Sequence, residues 1–223
     1  MSRRHTTCVS VTGETPGSML AALKSSLEMS EYAELRLDFL SPGQVGSLME
    51  SAAPYLGRTV CTLRPAAEGG RFEGAESERV RLLEEISGYD PYLLDVELAA
   101  IQNNHGLLDR LGTDILVSWH DFEGTPEPDA LRRRLEAMKQ YSSNVKMAVM
   151  AHDVRDMAAV LGLYAFRGDA TLVAFAMGKA GRFSRLCSLY LGSPFTYVSL
   201  GAAVAPGQYS LDEIKKIPYL GPA

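Results

Sequence analysis

Two residues of this chain combine a reactive side chain with a setting that could use it: Lys146 and His120. Lys146 stands near the start of the apolar run 145–151, where a hydrated surface amine is out of place. A lysine in water, with a pKa near ~10.4, is almost wholly protonated at neutral pH; burial lowers that value by up to about 3–5 units and releases a neutral, nucleophilic amine. The plainer alternative is an edge-strand lysine whose stem snorkels to water. His120 closes the run 114–121 and shares its parity with Ser118. With an ordinary pKa near ~6.5 it takes and returns a proton at working pH, although a lone histidine also fits a purely structural role. His5 is terminal, His105 is expected in a helical stretch and His152 at the start of a helix. No HExxH-like spacing results, and no metal site is expected.

Three further segments stand out. Arg64 ends the third apolar run and is followed by Ala67, Glu68, Gly69 and Gly70, a flexible turn that carries a carboxylate to the mouth of the fold. Residues 177–185, from Met177 to Arg185, are expected to end a strand, open a helix and offer backbone N–H groups with a guanidinium to an anion. Ala205, Pro206, Gly207 and Gln208 form a turn-rich segment of the kind that makes a lid. Taken singly, each also reads as an ordinary surface loop.

The elements that must position these groups recur regularly. Eight β-rich runs, at 6–12, 33–38, 59–64, 92–98, 114–121, 145–151, 171–177 and 196–201, are separated by helix-like stretches. Helix starts are signalled by Ser41 and Pro42 before 44–53, by Thr125 and Pro126 before 129–140, and by Asp153 before 157–166. A helical crossover forces consecutive strands to run parallel, and eight such units predict a closed (β/α)8 barrel, an α/β fold with residues 1–223 as one catalytic domain. An open doubly wound sheet is the alternative, without a Gly-x-Gly-x-x-Gly turn after the first strand to support it.

Side chains at i and i+2 of a strand share a face. One parity holds Ser10, Glu34, Arg36, Thr62, Arg64, Asp95, Glu97, Ser118, His120 and Lys146; the other is almost wholly apolar, with Val9, Val11, Leu35, Leu37, Leu94, Val96, Val117, Trp119, Val145 and Met147. In an antiparallel sheet the polar face would simply meet water. In a barrel it points inward, and so many inward charges predict a polar site at the C-terminal strand ends.

Composition bounds the function. The 223 residues, 46% apolar and 22% charged, suffice for one sizeable core. A net charge of −5 gives no basic surplus for nucleic acid. No apolar run of roughly 18 residues is present for a membrane span, and no apolar stretch follows the basic residues 1–4 as an export signal requires. Three cysteines, Cys8, Cys61 and Cys187, lack CxxC spacing and suit a reducing cytoplasm.

In order along the chain, Glu34, Arg36 and Asp38; Arg64 with Glu68, Gly69 and Gly70; Asp95 and Glu97; residues 118–122 with Thr125 and Pro126; Lys146 to Met150; residues 177–185; and residues 205–208 resemble the type I 3-dehydroquinate dehydratases. The resemblance implies a cofactor-free elimination of water from 3-dehydroquinate, with Lys146 as the imine-forming lysine, His120 as the proton carrier and Glu68 as the carboxylate that orients it. It further implies that Arg185 clamps the substrate carboxylate, that Ser10, Glu34, Arg36, Arg64, Met177, Ala205 and Gln208 bind the rest of the substrate, and that the enzyme is a homodimer. Val204 and Phe175 depart from the family pattern, at places where serine and methionine are common. A class I aldolase-like barrel, or a barrel that binds a metabolite without chemistry, are the competing readings.

Overall fold

The computed structural model describes residues 5–218; the basic start at 1–4 lies outside them. Strands and helices alternate: β1 (Thr7–Val11), α1 (Pro16–Met29), β2 (Tyr32–Arg36), α2 (Pro42–Ala52), β3 (Thr59–Thr62), α3 (Glu76–Ser87), β4 (Leu93–Glu97), α4 (Leu98–Asn103), β5 (Ile115–Asp121), α5 (Pro128–Lys139), β6 (Asn144–Met150), α6 (Val154–Gly162), β7 (Thr171–Met177), the short α7 (Gly178–Gly181), α8 (Ser184–Tyr190), β8 (Thr196–Ser199), β9 (Tyr209–Ser210) and α9 (Leu211–Lys216). The strand order is β7-β6-β5-β4-β3-β2-β1-β8-β9. Parallel neighbours joined by helical crossovers, with β8 paired back to β1, give the α/β fold class of the (β/α)8 barrel. No described helix is long and apolar enough to cross a membrane.

Two compact units share the chain, one comprising Ser10–Trp119 and the other Met1–Val9 with His120–Ala223. In the first, Cys61, Leu35, Leu94, Val96 and Val117 on the strands, the expected apolar parity, and Leu23, Leu48, Met49, Leu83 and Ile86 on the helices are buried. The polar parity is buried as well: Glu34, Thr62, Arg64, Asp95, Glu97 and Ser118 are all withdrawn from water. Register lays Arg36 beside Thr62, Thr62 beside Asp95 and Glu97 beside Ser118.

Charges so placed must neutralise one another, and they do. Arg64 donates from Nη2 to Asp95 at 2.6 Å, and from Nη1 to Glu97 at 2.6 Å and to the Ser118 hydroxyl at 2.8 Å. Ser118 in turn donates to Asp95. Arg79, 2% exposed on α3, donates to the second oxygen of Glu97 and grips both oxygens of Glu76 at 2.8 Å. Burial alone would lower the Arg64 pKa, but Asp95 and Glu97, helped by Glu68 and Glu34, raise it above its ordinary value. For Glu97 burial is the largest influence and pushes the carboxyl up, against the pull of Arg64 and Arg79.

In the second unit β6 and β7 pair along their whole length, with Lys146 opposite Val173, Ala148 opposite Phe175 and Met150 opposite Met177. Tyr197 of β8 lies opposite Cys8 of β1. Asp153 caps α6, accepting from the N–H groups of Arg155 at 2.7 Å and Asp156 at 3.2 Å.

The structure differs from the sequence reading at several element ends. The third strand stops at Thr62, so Arg64 lies just beyond it, and the second stops at Arg36 because Leu37–Phe39 forms a 3₁₀ turn. His105 lies in a turn rather than a helix: Asn104 takes the Ala100 carbonyl at 2.8 Å, and Gly106 turns left-handed at φ 71. The proline at the first turn of α5 is Pro128 rather than Pro126, and His152 precedes the Asp153 cap instead of starting α6. The two-residue β9, too short to show a period, is an addition to the eight expected strands.

Arg79→Met leaves Glu97 buried with one cation fewer and is expected to cost about 3–5 kcal/mol, as broken buried ion pairs do. Denaturant midpoints of Arg79→Met and of Arg79→Met with Glu97→Gln measure this, with the double variant recovering part of the loss.

Candidate active site

In the unit that begins at His120, Lys146 is 5% exposed on β6 and its Nζ stands 4.4 Å from the ring centroid of Tyr197. Its aliphatic stem and its amine are therefore both out of bulk water, which disfavours the snorkelling alternative. Tyr197 is packed edge-on by Phe195, at 5.3 Å, and contacts Phe175 at 6.4 Å.

Arg185, on α8, is 1% exposed, with its Cζ 4.0 Å from the Phe175 ring. Its Nη2 donates to the Pro206 carbonyl at 3.2 Å, while its Nε is buried without a hydrogen-bond partner among the described residues. Burial pushes this guanidinium down to about 9; Tyr209 opposes that shift and Arg182 adds to it. A buried cation with an unspent donor is a receptor for an anion, and a carboxylate matches the fork.

His120 is half-buried near the end of β5, its ring stacked on Phe122 at 6.3 Å. The loop that follows is tied down at several points. Asp121 accepts from the N–H groups of Glu123 and Gly124, the Thr125 hydroxyl donates to the Met150 carbonyl at 2.7 Å, and the His152 ring bonds the Glu123 carbonyl at 2.8 Å. Thr125 thus joins the loop after His120 to the end of the strand that carries Lys146.

The segment 205–208 is also anchored. Gln208 is buried and accepts the Val204 N–H at 2.8 Å through Oε1, a bond in which the valine side chain takes no part. Gly178 N–H donates to the Pro206 carbonyl at 3.3 Å, which takes it out of the anion-binding set proposed for residues 177–185. Those residues form a four-residue helix and then α8 rather than one continuous helix. Gly207 has φ 74, and a Cβ there would lie 2.5 Å from the Gly178 carbonyl oxygen, so only glycine fits this crossing. Met177 is buried and Ala205 half-buried at the two ends of this arrangement.

In the unit Ser10–Trp119, Glu34 accepts from Ser10 at 2.9 Å and from Thr62 at 3.0 Å. Arg36 turns its fork onto Asp38, at 2.9 and 2.7 Å, and Asp38 also accepts the Arg71 N–H. Glu68 ends a 3₁₀ turn, half-exposed, before the left-handed Gly69. Arg64 is held in the ion cluster with Asp95 and Glu97, so much of its donor capacity is spent within the protein. Among the described residues no group of three or more His, Cys, Asp or Glu is arranged to hold a metal.

Sequence reasoning missed Arg79 and Tyr197. Arg79 was detectable, because it occupies a helix position in line with Leu83 and Ile86, where an apolar residue is expected. Tyr197 gave no such signal; an aromatic in a strand is ordinary core.

The family model described as type I 3-dehydroquinase matches residues 7–220. A 3-dehydroquinate dehydratase from Methanothermobacter thermautotrophicus is 31% identical over 212 residues, 94% of each chain, and one from Dehalococcoides mccartyi is 36% identical over 201 residues, 88% of each. The crystal structure of 3-dehydroquinate dehydratase from Geobacillus kaustophilus matches with a TM-score of 0.84 at 26% identity, covering 95% of this chain and 88% of that one. The type I enzyme from Clostridium difficile, determined with covalently modified comenic acid, matches with a TM-score of 0.82 at 25% identity, covering 95% and 89%. The chain therefore belongs to the type I 3-dehydroquinase family, whose members are 3-dehydroquinate dehydratases, hydro-lyases of the shikimate pathway.

Proposed function

We propose that the chain converts 3-dehydroquinate to 3-dehydroshikimate through an imine on Lys146, with His120 moving the proton. The observation that carries this reading is the withdrawal of the Lys146 amine from water against the Tyr197 ring, in a unit that also buries Arg185 with an unspent donor. The amine attacks the substrate ketone and the carbinolamine loses water, leaving an iminium that draws electrons from the adjacent carbon. His120 removes the α-proton; the resulting enamine expels the β-hydroxyl, which leaves as water with the proton His120 returns. Hydrolysis of the conjugated imine consumes one water and frees the lysine. The net change is loss of one water from the substrate, and no cofactor is called for.

In this reading Arg185 clamps the substrate carboxylate, and Glu68 favours the cationic imidazole of His120. Ser10, Glu34, Arg36, Arg64, Met177, Ala205 and Gln208 hold the ring and its hydroxyls. Arg36 and Glu34 enter this task already oriented by Asp38, Ser10 and Thr62, which lowers the cost of ordering them on binding. The proposal extends to residues 1–223 as one catalytic domain, to a cytoplasmic location and to a homodimer.

Borohydride added during turnover is expected to fix a permanent adduct on Lys146; peptide mapping that finds it elsewhere, or finds none, refutes the imine. His120→Ala is expected to lower turnover by about 10²–10⁴-fold, the usual worth of a general acid–base, while still accumulating a trappable imine, slowly formed. Wild-type turnover in that variant contradicts the role. Arg185→Leu removes a charged clamp worth about 1.5–3 kcal/mol, so the KM for substrate is expected to rise by roughly 10- to 150-fold in steady-state assays.

A further inference from the structure

The two cations of the proposed mechanism rest on one aromatic cluster. Lys146 Nζ is 4.4 Å from the Tyr197 centroid, Arg185 Cζ is 4.0 Å from the Phe175 centroid, and the Tyr197 and Phe175 rings meet at 6.4 Å with 61° between their planes. Phe195 abuts Tyr197 at 5.3 Å and 83°, so the Tyr197 ring is braced by two others. Strand register places Phe175 opposite Ala148, two residues from Lys146 and on its face of the sheet.

A buried aromatic face attracts a cation through the ring quadrupole, yet it neither gives nor takes a proton. The ring favours the charged forms of the amine but adds no hydrogen-bond acceptor or donor to it, so the nitrogen lone pair, once the proton has left, is not tied up by the ring and can meet a carbonyl. A charge is carried on the same nitrogen in the iminium, so the ring face that seats the lysine nitrogen also serves the intermediate. The guanidinium is likewise seated by the Phe175 ring, and its Nε keeps a donor without a partner among the described residues.

We propose that Tyr197 and Phe175 are positioning residues that set the span between the imine nitrogen and the carboxylate clamp, and so select ketones whose carboxylate stands at one fixed distance from the carbonyl. This rests on the imine reading above. Each ring acts through the cation it seats rather than by touching the reacting atoms, and the two act on different steps. Tyr197 governs condensation at Lys146, and Phe175 governs carboxylate capture by Arg185.

The test uses the full chain as Tyr197→Leu, Tyr197→Phe and Phe175→Leu, with borohydride trapping of 3-dehydroquinate and of a hydroxycyclohexanone that lacks the carboxylate. Tyr197→Leu is expected to slow trapping of both ketones by about three- to thirtyfold, and Tyr197→Phe to recover most of that loss, because the ring and not the hydroxyl seats the amine. Phe175→Leu is expected to raise KM for 3-dehydroquinate by a similar factor, with the change confined to KM and with trapping of the carboxylate-free ketone at the wild-type rate. Trapping by Tyr197→Leu at the wild-type rate, or a Phe175→Leu variant that loses kcat at unchanged KM, overturns the proposal. Should Tyr197→Leu fail to fold, a Tyr197→Phe variant that is as slow as His120→Ala overturns it equally. A wild-type chain that gives no Lys146 adduct removes the imine reading and this proposal together; a wild-type adduct with indifferent variants removes this proposal only.

Discussion

Withdrawing carboxylates and guanidinium groups from water is costly unless their charges are balanced within hydrogen-bonding distance, and that cost governs the interior of the unit Ser10–Trp119. Arg64 lies between Asp95 and Glu97, and Glu97 is shared with Arg79. Each member is satisfied only while its neighbours keep their places, so the cluster tolerates one geometry. Such a cluster adds little net stability over apolar packing, since desolvation consumes most of the attraction. What it supplies is definition: β3, β4, β5 and α3 are fixed against one another by directional bonds rather than by interchangeable methyl groups.

The other unit handles buried cations differently. Lys146 and Arg185 both lie against aromatic faces. The contrast between Arg64 and Arg185 is physical. One guanidinium has its pKa raised by the carboxylates around it; the other has it lowered by burial and retains a donor without a partner. The first spends much of its donor capacity within the protein, and the second keeps one donor in reserve. On the proposed function, a carboxylate bound there would stabilise the folded chain by an amount that grows with the logarithm of ligand concentration over its dissociation constant.

Much of this arrangement was legible in the sequence, for a clear reason. Period-two alternation marks strand faces, and the polar parity from Ser10 to Lys146 is buried apart from the half-buried His120, as the helical crossovers required. The run 171–177 became β7 residue for residue. Strand ends were less legible, since apolar alternation continues past the last ladder bond: Leu37 belongs to a 3₁₀ turn and Arg64 lies beyond β3. Partner choice was less legible still. Nothing in the spacing distinguishes Arg36, whose fork is turned onto Asp38, from Arg185, whose Nε is left over, because that difference arises from contacts made after the chain has turned. Tyr197 was invisible for the same reason, and Arg79 was overlooked although its helix position made it conspicuous.

The Pro206 carbonyl accepts from both the Gly178 N–H and Arg185 Nη2. One oxygen is therefore the common fastening for the stretch after β8, the turn after β7 and the guanidinium. Displacing Pro206 breaks both bonds at once, so the position of a single carbonyl bears on the turn after β7 and on the guanidinium together.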